Sequence, residues 1–163
     1  MSAWKVGILT SSDKGARGER EDLSGQVIRE MMLDIGGEVV VYQVVPDEFD
    51  ILRNSMVTYC DELNLDLIVT TGGTGLAKRD VTPEATLAVI EREVPGMAEA
   101  MRAVSLQKTK FAMLSRAVVG TRGNTLIINL PGSPKGVREC LEVLLPVLPH
   151  ALEILQGKMG EHK

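Results

Sequence analysis

The chain has 163 residues, 44% of them apolar and 25% charged, with 18 basic and 22 acidic side chains and a formal net charge of −4. That size supports a substantial core, and the ordinary balance excludes fibrous and disordered classes. The mild negative charge excludes the electrostatic footprint of a nucleic-acid or anionic-membrane binder, so any bound anion must be held by a local site.

Lys5 to Thr10 is a short apolar run that suits a buried parallel strand. A polar loop over residues 11–19 follows. Leu23, Val27, Met31 and Ile35 then recur every four positions and predict an amphipathic helix ended by Gly36-Gly37. Glu38 to Val45 is β-branched and predicts a second strand. Pro46 breaks it, and Asp47 suits the N-cap of a helix whose inner stripe is Leu52, Met56, Cys60 and Leu63. Leu65 to Thr70 predicts the third strand, which stops in Gly72-Gly73-Thr74-Gly75. Thr82 as N-cap and Pro83 as first residue predict a third helix, with Leu87, Ile90 and Val94 inward. Pro95-Gly96 ends it, and Met97 to Gln107 reads as a fourth helix.

Ala117 to Thr121 and Thr125 to Leu130 predict two strands joined by a hairpin turn at Arg122-Gly123-Asn124. A second turn, Pro131 to Gly136, leads into a helix carrying Val137, Cys140, Leu141, Leu144, Leu148, Leu152 and Leu155 inward. Pro146 and Pro149 should kink or split that helix, and the tail from Gly157 should fray. Nearly all-apolar strands alternating with helices predict an α/β fold, a three-layer sandwich with a mostly parallel central sheet and helices on both faces. With no repeat, low-complexity segment or linker, residues 1–163 read as a single domain.

Cys60 and Cys140 fall on predicted apolar stripes and read as reduced core thiols. No C-x-x-C pair occurs, and both histidines lie in the last 14 residues, so no zinc pattern exists. The first strand begins at Trp4, leaving no space for a signal peptide, and no apolar run approaches ~18 residues. The expected location is the cytoplasm.

In open α/β sheets ligands bind beyond the carboxyl ends of the strands. The 11–19 loop, Pro46-Asp47, the 70–80 loop and the 131–136 turn all fall at such ends and should converge on one crevice. The glycine turn is the organising stretch. Its residues allow φ > 0 and close approach, so its amides can face phosphate oxygens. It lacks the Gly-Lys-Ser/Thr of a P-loop and the G-x-G-x-x-G spacing of a dinucleotide fingerprint. Asp80, five residues on, is unfavourable beside a phosphate unless a cation such as Mg²⁺ lies between them.

The rim offers Asp13, Asp47 and Asp80, the hydroxyls of Ser11, Ser12, Thr70, Thr71, Thr74 and Ser133, and the cations Lys14, Lys78 and Lys135. With no histidine or cysteine, it suits phosphoryl or nucleotidyl transfer, where positioning and charge neutralisation dominate. Each residue also has a plainer reading. Asp47 can be a helix cap, Asp80 and Ser133 turn residues, Lys135 a solvated helix start. Asp13, Asp22 and Ser24 can simply order the first loop.

Taken together, Ser12 to Gly15, Gly18 to Gly25, Pro46-Asp47, Thr71 to Gly75 with Asp80, and Leu130 to Lys135 resemble the MogA/MoaB family of molybdenum-cofactor biosynthesis, closest to its molybdopterin adenylyltransferases. The resemblance implies a homotrimer that takes ATP with Mg²⁺, transfers AMP to the terminal phosphate of molybdopterin and releases pyrophosphate. A MoeA-like molybdenum insertase would accept the product. It implies Asp47 and Asp80 as catalytic and magnesium-binding acids. It also implies Ser12, Asp13, Thr71, Gly72, Gly73, Thr74, Gly75, Gly132, Ser133 and Lys135 as the nucleotide and pterin pocket. The other readings are a non-catalytic molybdopterin binder of the same family and a nucleotide pyrophosphatase like those of the CinA family.

Overall fold

The computed structural model describes residues 3–158. Six strands form one sheet in the order β2-β1-β3-β6-β5-β4. β1 (Trp4–Ser11), β2 (Gly37–Val45), β3 (Leu67–Thr71) and β6 (Thr125–Leu130) run parallel. β5 (Val119–Arg122) turns back on β6 as the expected hairpin, and the two-residue β4 (Arg92–Glu93) extends that antiparallel edge.

Alternation along the central strands feeds two cores. Val6, Ile8, Leu67, Val69, Leu126 and Ile128 face one layer, made by α2 (Leu23–Met32), α5 (Pro95–Leu106), α6 (Pro134–Leu144) and α7 (Leu148–Leu155). Leu9, Ile68 and Ile127 face the other, made by α3 (Phe49–Asp61) and α4 (Thr82–Val89). The three-layer, mostly parallel α/β sandwich is therefore present. Both cysteines are buried and unpaired, and burial pushes the Cys60 thiol up to about 11.

β6 carries one polar exception. Asn129 is fully buried, donates to Thr70 Oγ1 at 3.0 Å and Thr86 Oγ1 at 2.9 Å, and accepts from Val118 N at 3.1 Å. A satisfied polar cluster of this kind fixes how β3, β6 and α4 meet beneath the strand ends.

Several helix faces differ from expectation. A strict four-residue repeat drifts by about 40° per step from the helical period. The inward face of α2 is accordingly Ser24, Gly25, Ile28, Met31 and Met32, while Leu23 is half exposed. α3 ends at Asp61, so Leu63 lies outside it and exposed, and Tyr59 takes the inward place. α4 buries Thr82, Pro83, Ala85, Thr86 and Val89 and leaves Leu87 exposed. It stops early because the chain turns to pair with β5, with Glu91 N bonded to Thr121 O at 2.8 Å and Val94 N to Val119 O at 2.8 Å. Pro95 then starts α5 rather than separating it from α4. The 11–19 loop contains a single helical turn, α1 (Asp13–Ala16). The last helix is split as expected, with Pro149 in the first turn of α7. Gly157 and Lys158 follow it, and the rest of the tail lies outside the described residues.

Two expected caps are absent. Glu48 occupies the N-cap of α3 without a side-chain bond, and Val81 occupies that of α4. Asp47 sits one residue too early to cap and is engaged elsewhere. Thr82 lies inside α4, and its buried Oγ1 has no hydrogen-bond partner.

Candidate active site

β1 leads outward to β2 on one side and β3 lies on its other side, so the connections diverge at the ends of β1 and β3. Such a switch point opens a crevice in an open sheet. The four polar segments do meet there. A cleft of about 560 Å³ is lined by Ser11, Ser12, Asp47, Thr71, Gly72, Gly73, Asp80, Gly132 and Ser133, among others.

Its floor is the glycine turn. Gly72 and Gly73 have φ of +89° and +72°. A Cβ on Gly72 would lie 2.4 Å from Ser11 O, and one on Gly73 would lie 2.3 Å from Thr82 Oγ1. Only glycine lets the turn press against the end of β1 in this way. The N–H groups of Gly73, Thr74 and Gly75 donate to no acceptor among the described residues. Three consecutive unbonded amides at a strand end form a seat for an anion.

Two carboxylates from different loops, Asp47 and Asp80, line the same cleft as Gly72 and Gly73. Asp47 accepts from the Ser11 hydroxyl through Oδ1 and from Asp13 N through Oδ2 at 3.0 Å. Asp13 Oδ1 accepts in return from Asp47 N at 2.9 Å, so the β1 and β2 exits clasp each other. Asp80 is oriented by its own turn, with Oδ2 accepting from Ala77 N at 3.0 Å. Each carboxylate oxygen has two lone pairs, so both acids retain acceptor capacity toward the cleft.

Asp13 does not itself line this cleft. It is gripped by Arg79, Nε to Oδ2 at 2.7 Å and Nη2 to Oδ1 at 3.0 Å. That guanidinium, helped by the Asp47 backbone, holds the Asp13 carboxyl down at about 2. Ser12 caps α1, its Oγ accepting from Gly15 N at 2.9 Å. Ser133 caps α6 in the same manner, accepting from Gly136 N at 3.0 Å. Both still border the cleft. Thr71 is buried and donates to Pro131 O at 2.6 Å, tying the two strand-end turns together.

Thr74, Gly75 and Lys135 border a second cleft, reached past Ser133 and bounded by α5, α6 and the 109–117 segment. It measures about 390 Å³ and is walled by Ala98, Met101, Phe111, Leu114 and Ala117, with Lys108 and Lys135 at its edge. Apolar walls with a few cations suit a flat ring bearing an anionic group. Sequence reading gave no sign of this cleft, because its walls come from segments that share no local pattern. Lys14 and Lys78 line neither cleft, whereas Arg20, overlooked at the sequence level, lines the polar one.

Asp22 and Ser24 order the first loop, as the plainer reading had it. Asp22 caps α2 through Gly25 N at 3.1 Å and accepts from Thr10 Oγ1 at 2.7 Å and from Tyr42. Burial, reinforced by that carboxylate, pushes the Tyr42 phenol up. Ser24 Oγ donates to Gly132 O at 2.6 Å, and both residues line the polar cleft.

Comparison with known proteins places the chain in a family. Residues 7–150 match the family described as the probable molybdopterin binding domain. A molybdopterin adenylyltransferase of Helicobacter pylori is 44% identical over 159 residues, covering 96% of this chain and 90% of that protein. One from Escherichia coli K12 is 36% identical over 176 residues, covering 99% and 90%. The solved molybdopterin biosynthesis enzyme MoaB of Thermus thermophilus is 57% identical with a TM-score of 0.89, covering 94% of this chain and 97% of that one. The glycine turn and the two acids that share its cleft thus sit in a chain that belongs to the MogA/MoaB family of molybdenum-cofactor biosynthesis.

Proposed function

We propose that the protein is a molybdopterin adenylyltransferase using ATP. The observation that carries the reading is the placement of Asp47 and Asp80 in one cleft with the glycine turn. The similarity to named adenylyltransferases supports it. A mere phosphate receptor would be weakened by two acids beside the anion seat.

The donor set fits Mg²⁺. No group of three or more His, Cys, Asp or Glu side chains able to hold a metal occurs among the described residues. Two carboxylates would therefore leave the other coordination positions to substrate phosphates and water, the pattern Mg²⁺ favours over an all-protein cage. Asp47 and Asp80 would hold the ion, which when bound would neutralise phosphate charge and polarise the phosphorus under attack.

The chain's own groups do the rest by position. The amides of Gly73, Thr74 and Gly75 hold phosphate oxygens, with Gly72 supplying the turn. Ser12 and Gly132 shape the polar cleft, and Thr71 fixes its floor. Asp13 orients Asp47. Ser133 sits where the two clefts meet, and Lys135 grips an anionic group at the edge of the apolar one. An oxygen of the terminal phosphate of molybdopterin attacks the α-phosphorus of ATP. The bond to the β-phosphate oxygen breaks, and pyrophosphate leaves with the electron pair. The attacking phosphate is already ionised at neutral pH, so no protein base is required. That suits two clefts walled by no histidine.

In this reading the chain acts as one molybdopterin- and nucleotide-binding domain, works as a cytoplasmic homotrimer, and passes its product to a MoeA-like insertase. Among the described residues no helix is long and apolar enough to cross a membrane.

The test is magnesium-dependent pyrophosphate release from ATP with molybdopterin supplied. Wild type should turn over, and Asp47→Asn and Asp80→Asn should each lose about a hundred-fold or more. Molybdopterin binding by wild type without pyrophosphate release would make the protein a carrier. Pyrophosphate release without molybdopterin would make it a nucleotide pyrophosphatase.

A further inference from the structure

Behind the loop that carries Asp80 lies an arginine that borders neither cleft. Arg116 is half-buried, between Ser115 and Ala117 of the apolar cleft wall. Its main-chain N–H donates to Thr74 O at 2.9 Å. Its guanidinium donates from Nε to Gly75 O at 2.8 Å and from Nη2 to Asp80 O at 2.7 Å, while Nη1 pairs with Glu84 of α4.

One planar fork therefore fastens both ends of the 75–80 loop and the helix behind it. The loop's internal bonds are local, Asp80 N to Ala77 O at 3.0 Å and Ala77 N to Asp80 Oδ2 at 3.0 Å. They orient the carboxylate within the loop but do not place the loop in the molecule. At the cleft mouth the loop is also held by Arg79, whose side chain is 57% exposed and screened by solvent. Arg116 holds the better-shielded inner edge.

We infer that Arg116 is a positioning residue that fixes the Asp80 carboxylate against the glycine turn. The functional part of this inference rests on the adenylylation reading; the structural part does not. Lysine offers its donors from a single point and can satisfy one of the two carbonyls, so it should substitute only in part.

The experiment compares wild type, Arg116→Lys and Arg116→Met in two measurements. Amide hydrogen exchange over residues 74–80 should rise about ten-fold or more in Arg116→Met, with β1 and β3 unchanged. In pyrophosphate release, the Mg²⁺ concentration for half-maximal turnover should rise about ten- to a hundred-fold, with turnover partly recovered at high Mg²⁺. Arg116→Lys should fall between in both. Unchanged exchange at 74–80, or an increase spread over the whole sheet, would overturn the inference. So would a fall in kcat with no change in Mg²⁺ dependence. If wild type itself releases no pyrophosphate, the adenylylation reading fails, and the exchange measurement alone decides the role of Arg116.

Discussion

Gly73→Ala isolates what the turn demands of its sequence. The residue has φ of +72°, and its absent Cβ would sit 2.3 Å from Thr82 Oγ1 and 3.2 Å from Ser11 Oγ. The left-handed backbone alone costs a Cβ about 1–2 kcal/mol. The overlap with Thr82 adds roughly 1–3 kcal/mol, the range for inserting a methyl into a packed site. A total of about 3 kcal/mol should lower the thermal midpoint by roughly 6–12 °C in a chain of this size. The two contributions can be separated, because Thr82 Oγ1 has no hydrogen-bond partner to lose. In a Thr82→Ala background the 2.3 Å overlap is gone and contacts of 3.2 and 3.3 Å remain, so Gly73→Ala should cost mainly the backbone part, about 1–2 kcal/mol. Thermal unfolding of the four proteins in the cycle measures the coupling directly. A midpoint for Gly73→Ala within about 1 °C of wild type, or a cost independent of residue 82, would refute the reasoning.

Two other outcomes follow from buried and bridged polar groups. Asn129→Leu removes the donor to Thr70 and Thr86 and the acceptor for Val118 N. It should destabilise the protein by about 2–4 kcal/mol in denaturant titration, and a loss below about 0.5 kcal/mol would show the cluster to be idle. Asp13, held down at about 2 by Arg79, has a folded value below its ordinary 3.8. Its contribution to stability is therefore complete above about pH 4 and fades as pH falls toward 2. An NMR titration of the Asp13 carboxyl with a midpoint near its ordinary value would contradict the bidentate pair.

What could be read from the sequence was what local pattern determines. The apolar runs marked the central strands, the glycines marked the turn, and α/β connectivity brought four loops to one end of the sheet. Helix faces were legible only to within a turn. Leu23 and Leu87 carry the right chemistry at the wrong angle, and a four-residue spacing cannot tell the two faces apart. The mutual grip of Asp13 and Asp47 joins residues 34 apart, and the reach of Arg116 to Gly75 and Asp80 spans 41 and 36. No periodicity encodes such pairings. They arise only when β2 lies beside β1, and β5 lies next to β3 across β6, which also explains why the apolar cleft had no signature.

That the cleft is stitched from distant parts of the chain has a bearing on how the protein matures. Thr71 is tied to Pro131 and Ser24 to Gly132, across 60 and 108 positions. A chain emerging from the ribosome holds the glycine turn long before β6 exists to support it. Half-made or clipped molecules should therefore be unable to form the polar cleft. Substrate that fits the finished cleft would bind only the complete fold and stabilise it in proportion to the logarithm of ligand concentration over Kd.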